Sequence, residues 1–508
     1  ITRQEILRGI IHKLQQDCLE ISVRGGLKNN RSFTEGGLWA IEHDTLETSL
    51  YSPLASLVAF LSASPQTRKV IFGLQNPLFE VAETQSDSLT DIISRMHSAK
   101  ELFIVQGPPG TGKTSGLLGT YVSDVFQQSA KNLLILSFTN RAVDEICQCF
   151  IRKGIPFLRS GSSTTIEQQL LSEQIKDKRF EEIAEIVLNN RIWVATMQSA
   201  NAWYLDILKI THFDEIIIDE ASQIVESSIL GLISQSPKTI LIGDQNQLPP
   251  IVVQSPMPFE FKNRLLQVLH YGSFNQSLME RLFAVYIAKP EAAVLAMLRS
   301  HFRMHESIAS LIGHYYNDKL ISATPQQTGE LQLNHQLPGF LNQRLVWINC
   351  PPSTTLHFDA LQVSLVCAIA AKLVDSGVVS DINKSLGVVA PFRAMIHALR
   401  KELGDDYSML TIDTVERFQG SERDIIIIAL PLKHSNNLSQ LQSLSDDGCI
   451  DRKLNVALSR AKERIIVLGN LELCQTGVHY AKLIYDIGQK GIIIDSALAL
   501  QQLQVNYT

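Results

Sequence analysis

The stretch "LFIVQGPPGTGKT", residues 102–114, leaves this chain few choices of fold. An apolar run ends in G-x-x-x-x-G-K-T, and a helical pattern follows. Strand, glycine-rich loop and helix in that order build a phosphate cradle. The glycines let backbone N–H groups approach an anion, and the helix N-terminus favours its charge. The loop residues Gly107, Pro108, Pro109, Gly110, Thr111, Gly112, Lys113, Thr114 and Ser115 are therefore expected to hold a nucleotide. Lys113 should reach the β- and γ-phosphates, and the Thr114 hydroxyl should bind Mg²⁺.

Ten short runs rich in β-branched residues recur with helical patterns between them. In the first half they are "LFIVQ", "LLILSF", "IWVAT", "EIIID" and "TILIG"; in the second, "LVWIN", "LGVVA", "MLTI", "DIIIIAL" and "RIIVLG". Continuous apolar runs suit strands buried on both faces, as in parallel sheets. Strand–helix alternation then predicts an α/β fold of two doubly wound sheets with a cleft between them. At 508 residues the chain has room for several domains. The expected division is an accessory region at 1–80, a first domain at 81–255 with a helical insertion at 150–190, and a second at 256–508. The polar stretch 433–448 is expected to be a mobile loop.

Composition narrows the class. The chain is 45% hydrophobic and 19% charged, as ordinary globular proteins are. No apolar run reaches the roughly 18 residues of a membrane span. The chain opens on Ile1 with a polar amphipathic stretch. The expectation is a piece of a longer protein, without a secretory signal, working in the cytoplasm. Seven cysteines form no C-x-x-C pair, which argues for buried free thiols over a metal cluster. A net charge of −6 excludes a wholly basic polyanion binder, though not a local basic groove.

Two adjacent acids end the run "EIIIDE". Unpaired buried charge is costly, so such a pair at a strand's carboxyl end points to the phosphate crevice. Asp219 is suited to hold the metal, and Glu220 to orient and deprotonate a water for in-line attack. "GDQNQLPP" repeats the design on the next strand. The Gln247 amide there can hydrogen-bond a γ-phosphate or the attacking water; the alternative is a polar turn closed by Pro249 and Pro250.

Small polar groups cluster at other strand ends: Thr139, Asn140 and Arg141, then Thr196, then Thr414. Such groups contact phosphates without reading sequence. Pro391, Phe392 and Arg393 end another strand, and the Phe392 ring can stack a base. Each has an alternative as an ordinary turn residue. The stretch "DRKLNVALSRAK" shows an apolar face of Leu454, Ala457, Leu458 and Ala461, with Lys453 and Arg460 turned away. Arg460 either lies on a solvated face or reaches a distant site; Lys453 is left on the surface. If the domains face each other, Arg303 and Arg460 can both meet the γ-phosphate held by Lys113.

The blocks "GPPGTGKT", "TNRAVD", "DEASQ", "GDQNQLPP", "FRMH", "TVERFQGSERD" and "LNVALSRAK", in this order, resemble superfamily 1 helicases. The resemblance is to the B branch, which includes the nonsense-mediated-decay helicase and the Okazaki-fragment-processing helicase–nuclease, and it runs from about residue 80 to about 490. It implies two RecA-like domains with ATP and Mg²⁺ between them and single-stranded DNA or RNA across their tops. It also implies that Gln85 reads the adenine, Phe302 stacks on it, Glu422 binds the ribose, Gly420 lets the backbone approach, and Arg303 and Arg460 act as fingers. Movement would run 5′ to 3′. The chain departs from the family pattern at His301-Phe302 (usually Gln-Tyr), Glu416 (usually Asp) and Met395 (commonly Gln).

The expected activity is ATP-dependent translocation and duplex unwinding. Two alternatives stand beside it: a nucleotide-gated clamp with little unwinding, and the motor part of a helicase–nuclease. No carboxylate–lysine nuclease motif lies within the chain, so a nuclease would be one of the further domains outside it. The expected partners are single-stranded nucleic acid and duplex, and no membrane.

Overall fold

A computed structural model describes residues 9–15, 18–23, 48–80, 86–161, 166–208, 210–252, 263–272 and 276–504. The chain divides into two units, Ile1–Tyr51 and Ser52–Thr508. The first contains an antiparallel hairpin, β1 (Gly9–Gln15) and β2 (Cys18–Val23).

The second unit is built on two parallel sheets. The first comprises β3 (Leu102–Gln106), β4 (Leu133–Ser137), β5 (Leu158–Ser160), β6 (Ile192–Thr196), β7 (Glu215–Ile218), β8 (Lys238–Gly243) and β9 (Leu295–Met297). Their order is β5-β6-β4-β7-β8-β3-β9. A small parallel pair follows, β10 (Ser300–His301) with β11 (Ile321–Ser322). The second sheet comprises β12 (Leu345–Asn349), β13 (Leu386–Val389), β14 (Thr411–Asp413), β15 (Arg423–Leu430), β16 (Ala461–Gly469) and β17 (Ile492–Asp495), ordered β14-β13-β15-β16-β12-β17. These are two tandem RecA-like doubly wound domains.

The continuous apolar runs explain the layering. On β3, Leu102 and Ile104 enter one core cluster, and Phe103 and Val105 enter the opposite one. On β16, Ile465 and Val467 face one core while Ile466 and Leu468 face the other. Side chains alternate along a strand, so a sheet covered on both faces needs every position apolar. In a parallel sheet all carboxyl ends share one edge. The neighbours β7, β8 and β3 therefore deliver Asp219-Glu220, Asp244–Gln247 and the phosphate loop to the same crevice.

The expected divisions need correction. Residues 65–72 form a helix whose Val70 and Ile71 join Phe60 in the first sheet's core, so the region up to 80 is not all accessory. The stretch 150–190 supplies edge strand β5, and only then the helices Leu171–Gln174 and Phe180–Asn189. β9 pairs with β3, and the helix Leu278–Ile287 buries Leu278, Met279 and Leu282 in the first core. The first sheet thus continues past residue 255. Within 433–448, Leu438 and Leu441 are buried in the second core on a short helix, and these apolar anchors hold what reads as a polar loop. No helix among the described residues is long and apolar enough to cross a membrane.

Candidate nucleotide site and strand-end residues

The phosphate loop leaves β3 at Gln106. Gly110 and Gly112 both adopt φ of +75°, a region open to glycine at little steric cost. The Thr111 hydroxyl donates to the Pro108 carbonyl at 2.7 Å, which tightens the turn. Lys113 Nζ donates to the Gly107 carbonyl at 2.8 Å and lies 3.7 Å from Glu220 Oε1. The ammonium is thus parked at the mouth of the loop beside the expected catalytic base.

Thr114 Oγ1 donates to Asp219 Oδ2 at 2.8 Å. A hydroxyl and a buried carboxylate in contact form the oxygen-only donor set that suits a hard cation such as Mg²⁺. Burial, and next the charge of Glu220, push the Asp219 carboxyl up to about 6, against the pull of Lys113. A carboxylate so disfavoured is one that a cation would relieve. Glu220 itself sits in the left-handed region at φ +54°, strained backbone for a non-glycine residue. Its Oε2 accepts from Gln223 Nε2 at 3.2 Å, while Oε1 faces Lys113. Gln247 is buried and donates through Nε2 to Asp244 Oδ2 at 2.9 Å.

The second domain brings up two arginines. Arg303 Nε pairs with Glu422 Oε2 at 2.6 Å, and its Nη1 donates to the Ser459 carbonyl at 3.3 Å. Arg460 is 2% exposed. It donates to the carbonyls of Val456 and Ser421 and to the Ser459 hydroxyl, but pairs with no carboxylate among the described residues. Burial, and next the nearby Arg303, lower its pKa to about 9. The solvated-face reading of this helix therefore fails for Arg460. Lys453 pairs instead with Glu416 at 3.3 Å.

A cavity of about 840 Å³ joins these parts. The phosphate loop from Pro109 to Ser115, Glu220 and Gln247 line it from the first domain, and Arg303, Gly420 and Arg460 from the opposite side. Its size falls within the roughly 300–1,000 Å³ of small-molecule sites. Phe302 stands 60% exposed, and its N–H donates to the Gly110 carbonyl at 2.8 Å. Glu422 does not line the cavity. Burial opposes its ionisation, but Arg303 and Lys462 hold its carboxyl below the usual range, so both oxygens are engaged. Gln85 lies outside the described residues.

The cavity also takes a stripe that sequence reading missed. Arg141, Glu145, Gln148 and Arg152 line it from the helix Asn140–Lys153. Their spacing puts them on one face, opposite the buried Val143, Ile146, Cys147 and Phe150. That periodicity was the available signal. Arg141, expected among the strand contacts, instead reaches across to the Gly420 carbonyl at 3.4 Å.

The other strand-end residues are arranged two strands to a sheet. Thr139 and Asn140 follow β4, and Thr196 ends the adjacent β6. Pro391, Phe392 and Arg393 follow β13, and Thr414 follows the adjacent β14. Thr139 Oγ1 caps its helix by accepting from Ala142 N, and Asn140 Oδ1 accepts from Arg159 at 2.9 Å. Thr196 is buried and accepts from Ser199 N, so its hydroxyl oxygen serves a helix cap. Arg393 is exposed; Pro391 and Thr414 are half-buried. Phe392 is half-buried too, its ring centroid 4.2 Å from that of His357. Exposed Phe138, beside Thr139, is a further aromatic at this edge.

Two profiles described as AAA domain match, one at residues 82–179 and 157–255, the other at 274–472. DNA-binding protein SMUBP-2 of Mesocricetus auratus is 26% identical over 84% of this chain and 46% of its own length. The DNA replication ATP-dependent helicase/nuclease dna2 of Schizosaccharomyces pombe is 28% identical over 92% of this chain and 36% of its own length. The chain belongs to the superfamily 1B helicases. It spans less than half the length of these curated relatives. Where superfamily members usually carry Gln-Tyr, this chain buries His301. Its Nδ1 lies 2.8 Å from Gln327 Nε2, so a hydrogen bond is kept by a different side chain.

Proposed function

We propose that this chain is an ATP-hydrolysing motor that moves 5′ to 3′ along single-stranded DNA or RNA and separates duplex ahead of it. One observation carries the reading. Arg460 is a buried cation without a carboxylate partner among the described residues, and it borders the cavity that holds the phosphate loop. An unpaired buried charge is strongly disfavoured, so the site has use for an anion supplied from outside.

ATP bound at the loop would put its γ-phosphate between Lys113 on one side and Arg303 and Arg460 on the other. Glu220 would accept a proton from the attacking water, and Gln247 would orient it. The arginines would offset charge spreading over the transferred group, a contribution of about 10³–10⁵ in rate. Thr114 and Asp219 would hold Mg²⁺, which supplies charge neutralisation on the phosphate oxygens. After hydrolysis the attraction that closes the domains weakens, and the cleft reopens. If strand contacts on the two domains alternate in grip, each cycle advances the strand. The polarity rests on the family resemblance.

The strand-end residues of both sheets support nucleic acid as the track. Cys147, Cys149, Cys350, Cys367, Cys449 and Cys474 are free, and four of them (Cys147, Cys149, Cys350 and Cys474) are buried, which supports work in a reducing compartment such as the cytoplasm. Unwinding of 5′-tailed and 3′-tailed DNA and RNA, run in parallel with strand-stimulated ATPase, tests the proposal. Opening of 5′-tailed substrates is expected. Strong strand binding with no displacement would favour a clamp, and opening of only 3′-tailed substrates would reverse the polarity.

A further inference from the structure

A buried polar chain joins the two domains behind the cavity. Asp244 and Gln247 follow β8 of the first sheet; Asn455 lies on the helix Arg452–Leu458 of the second domain. Between them stands Tyr316, at the end of the turn Gly313–Tyr316. Asp244 Oδ2 accepts from Gln247 Nε2 at 2.9 Å and from the Tyr316 hydroxyl at 2.7 Å. Asn455 Nδ2 donates to that same hydroxyl oxygen at 2.8 Å and to the Asn246 carbonyl at 2.7 Å. Asn246 in turn donates to the Tyr315 carbonyl at 2.7 Å. Asp244 and Asn455 are fully buried, Tyr316 is 1% exposed and Gln247 is 3% exposed.

Two features argue against mere core packing. Asp244 is a buried carboxylate with no ion-pair partner among the described residues, and neutral donors define its orientation. Neutral donors neutralise no charge, but they fix direction. The chain also ends one helical turn from the finger: the carbonyl of Val456, next to Asn455, holds Arg460 Nε at 3.0 Å. A shift of Arg460 toward a phosphate would pass through Asn455 to Tyr316, and from Tyr316 to the carboxylate that aims Gln247.

We propose that Tyr316 and Asn455 are positioning residues for hydrolysis, locking the Gln247 amide into register with the helix that carries Arg460, so that sensor and finger engage the γ-phosphate together. This rests on the reading of Gln247 as a contact to the γ-phosphate or to the attacking water. Tyr316→Phe removes only the hydroxyl. It should lower kcat for ATP by about tenfold, the scale of one hydrogen bond to a charged group, and leave KM for ATP within about twofold. Asn455→Ala should do the same, which keeps the proposal testable if one variant folds poorly.

The deciding readout is non-additivity, because residues acting through one group do not add. Gln247→Ala combined with Tyr316→Phe should be no slower than Gln247→Ala alone. The proposal is overturned if the two losses multiply, or if Tyr316→Phe lowers the thermal midpoint and leaves kcat intact. Gln247→Ala turning over at the wild-type rate would instead sink the underlying reading of Gln247, and the positioning role with it.

Discussion

A Cβ atom placed on Gly110 would lie 2.5 Å from the Cβ of Arg303. The phosphate loop and Arg303 are therefore packed backbone against side chain, and Phe302 N–H donates to the Gly110 carbonyl at 2.8 Å. Gly110→Ala should fail twice over. Its φ of +75° disfavours a side chain, and the new methyl would push Arg303 from its place. We expect a stability loss of about 1–3 kcal/mol, measured by denaturant midpoint, and an ATPase rate well below that of Gly404→Ala, whose Cβ meets nothing within 4 Å.

Arg460→Met separates hydrolysis from folding. The long apolar side chain fills the same buried volume without the charge. Turnover should fall by about 10³-fold or more. The rise in thermal midpoint given by a non-hydrolysable ATP analogue should shrink, because that rise reports differential binding to the folded state. An undiminished rise with lost turnover would mean that Arg460 acts only after ATP has bound.

His301 makes stability depend on pH. Burial first, and then the charge of Arg303, lower its pKa to about 4. An unfolded histidine titrates near 6.5. Between those values the unfolded chain holds the extra proton, so stability falls as pH drops. The contribution is complete above about pH 6.5 and is lost progressively toward pH 4. His301→Gln, the residue usual in the family, should flatten the slope of unfolding free energy between pH 6.5 and 5. An equal slope in both proteins would show that other groups carry it.

Arg452 and Glu280 tie the domains at a second place. Arg452 lies on the helix that leads to Arg460, and Glu280 on the helix Leu278–Ile287 packed against the first core. Both are largely buried. Glu280→Ala strands a buried guanidinium and should lower stability by about 3–5 kcal/mol. Replacing both residues with methionine should recover most of that loss, because no charge is then left unpaired. Urea denaturation of the three proteins decides it.

The site was legible in the sequence where one short segment supplies both the residue type and its backbone setting. Thr114 and Asp219 are 105 residues apart but meet at 2.8 Å, because each motif sits at the end of a central strand and those ends share an edge. Nine of the ten expected strands were legible for a related reason: burial on both faces leaves unbroken apolar runs, whereas the tenth, β14, is a half-buried edge strand. Edge strands β5, β9 and β17 were not, since "LRS", "LAM" and "IIID" are too short to carry a period. Tyr316 was also hidden. No local pattern marks a tyrosine whose partners, Asp244 and Asn455, come from 72 and 139 residues away.

Arg141 and Phe392 offer the sharpest contrast between what the sequence suggested and where the structure puts a residue. Both were expected on the strand. Arg141 lines the nucleotide cavity and bonds the Gly420 carbonyl of the opposite domain, whereas Phe392 follows β13 and packs beside His357. Arg141→Ala should therefore raise KM for ATP, and Phe392→Ala should leave it unchanged. For strand affinity the order reverses. Loss of one aromatic stacking face should weaken single-strand binding by about 1–3 kcal/mol, roughly five- to 150-fold in Kd. Fluorescence anisotropy on a labelled oligonucleotide, run without nucleotide, isolates that term. If Arg141→Ala weakens the strand as much as Phe392→Ala does while KM for ATP stays put, the assignment of Arg141 to the nucleotide cavity is wrong.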